Sequence, residues 1–215
     1  MLSLGLDPSM SGFGWCVHDP WATGKARVVD KGRFASPSSE VFIARYLGLR
    51  ACVLDLLDDY PEVKIVGVES PPFGEAWSEG LYGLFLYVNE AIYLRRRDVV
   101  YFDPSTVKAL TKEDPEVRKG KMFKADMVAM AQADTGVFRW NGDEADAYHI
   151  ARFAARFWLL IEGEITEDVL LPSEKHTFLR SHTFTRGKHA GETQKLGTLF
   201  REDERFFRFS RLEST

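Results

Sequence analysis

Residues 2–14 read LSLGLDPSMSGFG, and they decide the fold because an acidic residue stands where a buried strand leaves its sheet. Leu2, Leu4 and Leu6 alternate with small residues, the pattern of a short strand packed within a core. Asp7 ends it, and the turn formers Pro8, Ser9, Ser11, Gly12 and Gly14 follow. A carboxylate at the end of a central strand is held on rigid backbone, which suits a metal ligand. The competing reading is that Asp7 only caps the turn, and the carboxylates met further along weigh against it.

Working outward, residues 13–18 (FGWCVH) read as a second strand, the hairpin partner of the first, and residues 27–34 as a third. Ser36-Pro37 breaks that strand. Ser38 or Ser39 then stands where it can cap a helix over about residues 40–59, with Ile43, Leu47, Ala51, Leu54 and Leu57 as its apolar face. Residues 64–68 (KIVGV) form a short apolar run that ends in Glu69, and Ser70-Pro71-Pro72 forces the chain out of the sheet. A second strand thus also delivers an acid at its terminus.

Residues 78–97 predict a helix in which Leu81, Tyr82, Leu84, Phe85, Leu86, Tyr87 and Val88 cover nearly the whole circumference. Such a helix needs partners on two sides. One is the sheet; the other is a second copy of the chain or the aromatic-rich C-terminal segment, and a homodimer is the expectation. Residues 98–102 (DVVYF) are the next strand, and Asp103-Pro104-Ser105-Thr106 opens a short helix over 107–110. Residues 111–121 form a charged loop with Lys112, Arg118, Lys119 and Lys121. Helical spacing resumes over 124–133 through Met127, Met130 and Ala131. A last core helix over 142–161 buries Ala147, Ile150, Ala151, Phe153 or Ala154, and Phe157. Strands that alternate with helices after an opening meander predict an α/β fold with a mixed sheet flanked by helices.

The chain of 215 residues, 45% hydrophobic and 28% charged, suits one domain over 1–160 with a basic, aromatic extension over 161–215. No run reaches the length of a membrane span and no targeting segment opens the chain. Cys16 and Cys52 lack metal spacing and read as buried thiols of a reducing, cytoplasmic-type compartment. The net charge of −4 at first argues against a nucleic-acid partner, but from residue 171 onward nine Lys/Arg stand against six Asp/Glu, so that segment carries +3 and the rest −7. A metal nuclease concentrates carboxylates in its site, so local patches decide and the total does not. His176, His182 and His189 are too far apart for a compact metal motif and read as solvent-exposed. Residues 205–211 (RFFRFSR) mix cations and aromatics as DNA-contacting segments do; an edge strand or a segment docked over the apolar helix fits equally well.

The chemistry gathers further at residues 141–147, NGDEADA. Asp143 and Asp146, three apart at a helix start, share one face about a turn apart. A helix N-terminus also favours negative charge for its own sake. Glu144 lies about 100° round the helix and points to solvent or supports the others from behind. Small Ala145 and Ala147 allow the helix close to the sheet. His149 reads as a surface or core histidine. The acids at two strand ends plus this pair make an oxygen set of the kind that holds Mg²⁺ or Mn²⁺. Two such ions about 3.5–4 Å apart clamp a phosphodiester for in-line attack by water.

The order Gly5-Leu6-Asp7-Pro8 with Ser11-Gly12-Phe13-Gly14, then Val66-Gly67-Val68-Glu69, then Asp143-Glu144-Ala145-Asp146-Ala147 resembles Holliday junction resolvases of the RuvC family, in the ribonuclease H-like superfamily. The similarity spans residues 1–157. It implies a ribonuclease H-like fold and a Mg²⁺-dependent, homodimeric endonuclease of DNA recombination and repair that cuts four-way or other branched DNA with two metal ions per site. Asp7, Glu69, Asp143 and Asp146 match the catalytic metal-binding acids. Lys108 and Lys124 correspond to basic residues that hold junction phosphates, and Lys121, in the loop before Lys124, joins this DNA-binding set. Phe73 stands one place later than the aromatic that follows the second acid in many members. Pro8-Ser9 replaces a usual Pro-Gly, so the turn must avoid a positive φ at Ser9 or strain it. The resemblance also implies that the helix at 81–94 lies at the dimer interface. An actin-like or sugar-kinase ATPase needs two such domains, more than 215 residues supply. Proofreading exonucleases carry Asp-x-Glu on the first strand, where this chain has Asp7-Pro8-Ser9. A relative acting on flaps or RNA/DNA hybrids, or a non-enzymatic nucleic-acid-binding relative, is the rival within the fold.

Overall fold

The computed structural model describes residues 1–71, 79–112 and 121–179, together with short strands at 181–183, 193–195 and 208–209. Its sheet is built from β1 (Leu2–Asp7), β2 (Phe13–His18), β3 (Val28–Phe34), β4 (Val63–Glu69) and β5 (Asp98–Phe102). The order is β3-β2-β1-β4-β5, antiparallel through the opening meander and parallel from β1 to β5. The sheet is therefore mixed, as expected. The last described strand, Arg208–Phe209, pairs parallel with Tyr101 and Phe102 at the far edge. Those two residues of the 205–211 motif form edge strand; the remainder of the motif lies outside the described residues.

Alternation along the strands sorts the two faces. Leu4, Leu6, Val66 and Val68 pack against α1 (Phe42–Asp59) and α2 (Glu79–Leu94). On the other face, Ile65 and Val100 meet α3 (Pro104–Thr111), α4 (Lys124–Thr135) and α5 (Gly142–Ile161). The small residues between the leucines of β1 belong to this second face. Ser3 Oγ donates to Ala151 O at 3.0 Å. A Cβ on Gly5 would overlap the Ala147 carbonyl oxygen and come within 2.5 Å of Ala151 N, and one on Gly67 would lie 2.7 Å from Ile150 Cγ2. Helix α5 thus lies directly on the backbone of β1 and β4, through its alanines. Ala147, Ile150, Ala151, Phe153, Ala154 and Phe157 are all buried, as the helical spacing predicts.

Two expectations need correcting. The buried stripe of α1 is Arg45, Leu49, Val53, Leu56 and Leu57, whereas Ile43, Leu47 and Ala51 are exposed and Leu54 is half-buried. Both stripes have helical spacing, and the position of the neighbouring helix chose between them. The second apolar side of α2 is covered by α1: Tyr46 stacks on Tyr87 at 5.6 Å and crosses Gly83, while Phe85 packs on Tyr101 at 5.4 Å on the sheet side. Tyr82, Leu86, Tyr93 and Leu94 stay exposed.

Beyond α5 the chain continues into α6 (Pro172–Phe178), whose Phe178 packs on Phe157 at 5.3 Å and whose Glu174 pairs with Arg156 at 2.5 Å. Two three-residue strands, β6 (Ser181–Thr183) and β7 (Thr193–Lys195), pair with each other apart from the main sheet. His176 is exposed as expected, and His189 lies outside the described residues. Cys16 is buried and Cys52 half-buried, and both are free thiols. No helix among the described residues is long and apolar enough to cross a membrane.

Candidate acidic cleft

Asp7 leaves the end of β1 and Glu69 the end of the adjacent parallel strand β4, so both carboxylates emerge at the same edge of the sheet. Asp143 and Asp146 come from the first turn and a half of α5. Asn141 caps that helix: its side chain accepts from Asp143 N at 2.9 Å, and Glu144 reaches back to Asn141 N at 3.0 Å. Because α5 lies flat on Gly5 and touches Gly14 through the Asp143 backbone, its start is set directly over the strand ends. The four acids line one cleft of about 550 Å³. Lys108 of α3, Lys124 of α4, and Ser9, Met10 and Ser11 of the first turn line it with them.

The electrostatics record the crowding of negative charge. Burial and the neighbouring Asp146 push the Asp7 carboxyl up to about 7, against the pull of Lys124. Burial, Asp7 and Asp146 hold Glu69 well above the usual carboxylate range. Asp146 is raised as well, chiefly by burial. Lys124 answers this charge. Its ammonium pairs with Asp143 and lies 3.5 Å from Asp146 Oδ2, and these acids raise its pKa although burial alone would lower it. The second oxygen of Asp143 is held by Arg33 Nε at 2.9 Å.

The donor chemistry of this cleft fits a hard divalent cation. It offers four carboxylates with the Ser9 and Ser11 hydroxyls beside them, and three of those carboxylates are destabilised in the ionised state by burial and by neighbouring acids. Asp146 Oδ1 is buried without a hydrogen-bond partner, a polar atom that ordinarily demands one. As the side chains stand, no three acids, histidines or cysteines of the described residues converge tightly enough to encircle a single ion. Lys124 takes the cationic place in this arrangement.

Of the residues singled out from sequence, Asp7, Glu69, Asp143, Asp146, Lys108 and Lys124 meet in the cleft. Lys121 does not line it; its ammonium lies 5.9 Å from the centre of the exposed Phe123 ring. Phe73 and most of the 111–121 loop lie outside the described residues. Glu144 neither faces solvent nor joins the cleft, being paired with Lys31 at 2.5 Å. His149 is a core histidine, fully buried, with Nε2 3.0 Å from Met127 O. The turn at Ser9 avoids a positive φ, and the Ser9 hydroxyl instead accepts from Gly12 N at 2.9 Å. Sequence reading missed Arg33. Its signal was register, since pairing β2 with β3 sets Arg33 opposite Gly14, beside Asp143.

No family model matches this chain, and no curated protein matches it. Solved structures do. The structure of RuvC from Thermus thermophilus superposes with a TM-score of 0.61 at 22% identity, over 76% of this chain and 97% of that one. The Thermus protein in complex with a Holliday junction substrate superposes at 0.55 and 21% identity, over 71% and 91%. At these identities the likeness establishes the fold, RuvC-like and of the ribonuclease H type.

Proposed function

We propose that this chain, with its RuvC-like resolvase fold, is a metal-dependent endonuclease of branched DNA, most specifically of four-way junctions. One observation carries the reading: the acids of β1, β4 and α5 share a cleft with Lys108 and Lys124 and repel one another's ionised forms. Two Mg²⁺ or Mn²⁺ ions would be held by Asp7, Glu69, Asp143 and Asp146, with the unpartnered Asp146 Oδ1 as a ready donor. Bound there, they would supply Lewis-acid stabilisation of a phosphodiester and a water nucleophile at neutral pH.

The chain's own groups do the rest. Asp7 and Glu69 would hold the ions as carboxylates, the form that burial and the neighbouring acids disfavour in the cleft by itself. Lys108 and Lys124, which line the cleft, would hold a phosphate oxygen of the strand. Arg33 holds one oxygen of Asp143 and so orients that carboxylate. A four-way junction has two equivalent strands to cut, which a two-fold dimer answers with two equivalent sites. The exposed Tyr82 and Leu86 of α2 are the residues we place at that axis.

The test uses a labelled four-way junction, a plain duplex, a flap and an RNA/DNA hybrid, each with and without Mg²⁺ or Mn²⁺. Symmetric, metal-dependent nicking of the junction, lost in Asp146→Asn and Glu69→Gln while junction binding persists, is expected. Preference for the flap or hybrid would transfer the site to that substrate, and cleavage surviving both substitutions would overturn the site.

A further inference from the structure

Two phenylalanines bracket α4, and each is held out in water on a fixed backbone. Phe123, 62% exposed, precedes the helix, and its backbone N–H donates to Asp126 at 2.8 Å. Phe138, 81% exposed, follows the helix, and its carbonyl accepts from Gln132 Nε2 at 2.9 Å. A single exposed ring is ordinary. These two share a second feature, for Lys121 lies over the Phe123 ring at 5.9 Å and Lys25 over the Phe138 ring at 5.6 Å.

Lys25 belongs to a 3-10 turn (Gly24–Arg27) tied to the far end of α4 by the Arg27–Asp134 pair at 2.5 Å. After Lys124, the exposed positions of α4 between the two rings are Ala125, Ala129 and Ala133, with Asp126 the one acid among them. A strand crossing this face therefore meets little bulk. The near end is the acidic cleft itself, since Lys124 follows Phe123 directly.

We propose that α4 carries a track for an unpaired nucleic-acid strand running from the cleft, with bases stacking on Phe123 and Phe138 and phosphates on Lys121 and Lys25. Stacking on an aromatic platform beside a cation is the recurrent way to hold single strands without reading their sequence. Twelve residues of helix span about 18 Å, the length of a few nucleotides. The ligand is single-stranded because inside a duplex both faces of a base are covered by its stacked neighbours, and only an unpaired base can turn a face to a ring. This inference rests on the nuclease reading and extends it by giving the path of the strand beyond the scissile phosphate.

The experiment measures binding of the full chain, in EDTA so that cleavage plays no part, to a branched DNA with one unpaired arm carrying 2-aminopurine. Phe123→Ala and Phe138→Ala should each weaken binding about five-fold or more. Phe138→Trp should restore affinity and quench the probe, whereas Phe138→Leu should not. Lys25→Ala should lower the salt slope by about 0.7, the share of one single-strand phosphate. The exposure of Phe138 means its variants should melt with the wild type. Wild-type affinity in both alanine variants overturns the track and leaves the nuclease reading intact. A lowered salt slope in Lys25→Ala with no effect of the rings overturns stacking. A wild type that binds no nucleic acid overturns both readings together.

Discussion

Replacing Gly5 by Ala tests the contact that puts the site together. The added methyl would overlap the Ala147 carbonyl oxygen and sit 2.5 Å from Ala151 N and 2.9 Å from Ala151 Cβ. These are backbone atoms and the root of a short side chain, so no rotamer change relieves the clash. Either α5 lifts from β1 by an ångström or more, or β1 bends within the sheet. Overpacking of this kind costs about 1–3 kcal/mol and more where backbone must move, so about 3 kcal/mol is expected. For a chain of this size that is a fall in melting temperature of roughly 6–12 °C. Gly48 is the internal control, because a Cβ there meets nothing within 4 Å on the exposed face of α1. Gly48→Ala should stabilise by about 0.4–1 kcal/mol through helix propensity and the stiffer unfolded chain. Differential scanning calorimetry of the pair should therefore give shifts of opposite sign. Since α5 carries Asp143 and Asp146, Gly5→Ala should also weaken Mn²⁺ binding at temperatures where the variant is still folded. A Gly5→Ala protein melting within 2 °C of wild type, roughly a 1 kcal/mol change, would refute the seating of α5 on β1.

Asp134 ties Arg152 at 2.9 Å, Arg27 and the Tyr148 hydroxyl, and despite burial these partners hold its carboxyl below the usual range. Its contribution is therefore present above about pH 4 and lost as pH falls through the lowered pKa; Asp134→Asn should cost about 3 kcal/mol at pH 7, with the two melting curves converging as the carboxyl takes up its proton in acid. Asp7 has the opposite sign: pushed up to about 7, it favours the metal-free fold below its unfolded pKa and withdraws that support as pH rises through 7. Asp7→Asn should flatten the fall in melting temperature between pH 4 and 8 and abolish the rise expected of the wild type on adding Mg²⁺ at pH 8; an unchanged pH profile counts against the crowded cleft. Tyr82→Glu with Leu86→Glu should give a monomer that nicks junctions without pairing the cuts, and light scattering showing a micromolar wild-type monomer that still resolves junctions removes the dimer.

The sequence determined the parts of this protein that depend on local order. Alternation in residues 2–7, the strand that ends in Glu69 and the capped start at Asn141 each place an acid at the terminus of an element, and the structure keeps those termini. Ala145 and Ala147 made the close approach of α5 to the sheet legible, though not that Gly5 and Gly67 are the residues it meets. Which of two equally spaced stripes of α1 faces inward was not legible, because helical periodicity is the same for both and the position of α2 decides. Nor was the role of Glu144, whose partner Lys31 is 113 residues away in sequence and meets it only once β3 is in place. Arg33 is the clearest case of what tertiary structure alone supplies. Its nearest acid in sequence, Asp30, accepts from Tyr60 instead, while strand register sets Arg33 against Asp143, which Lys124 also holds. Elements follow from periods of two and 3.6 residues that neighbours can enforce; pairings between charges depend on distances that only the assembled layers define.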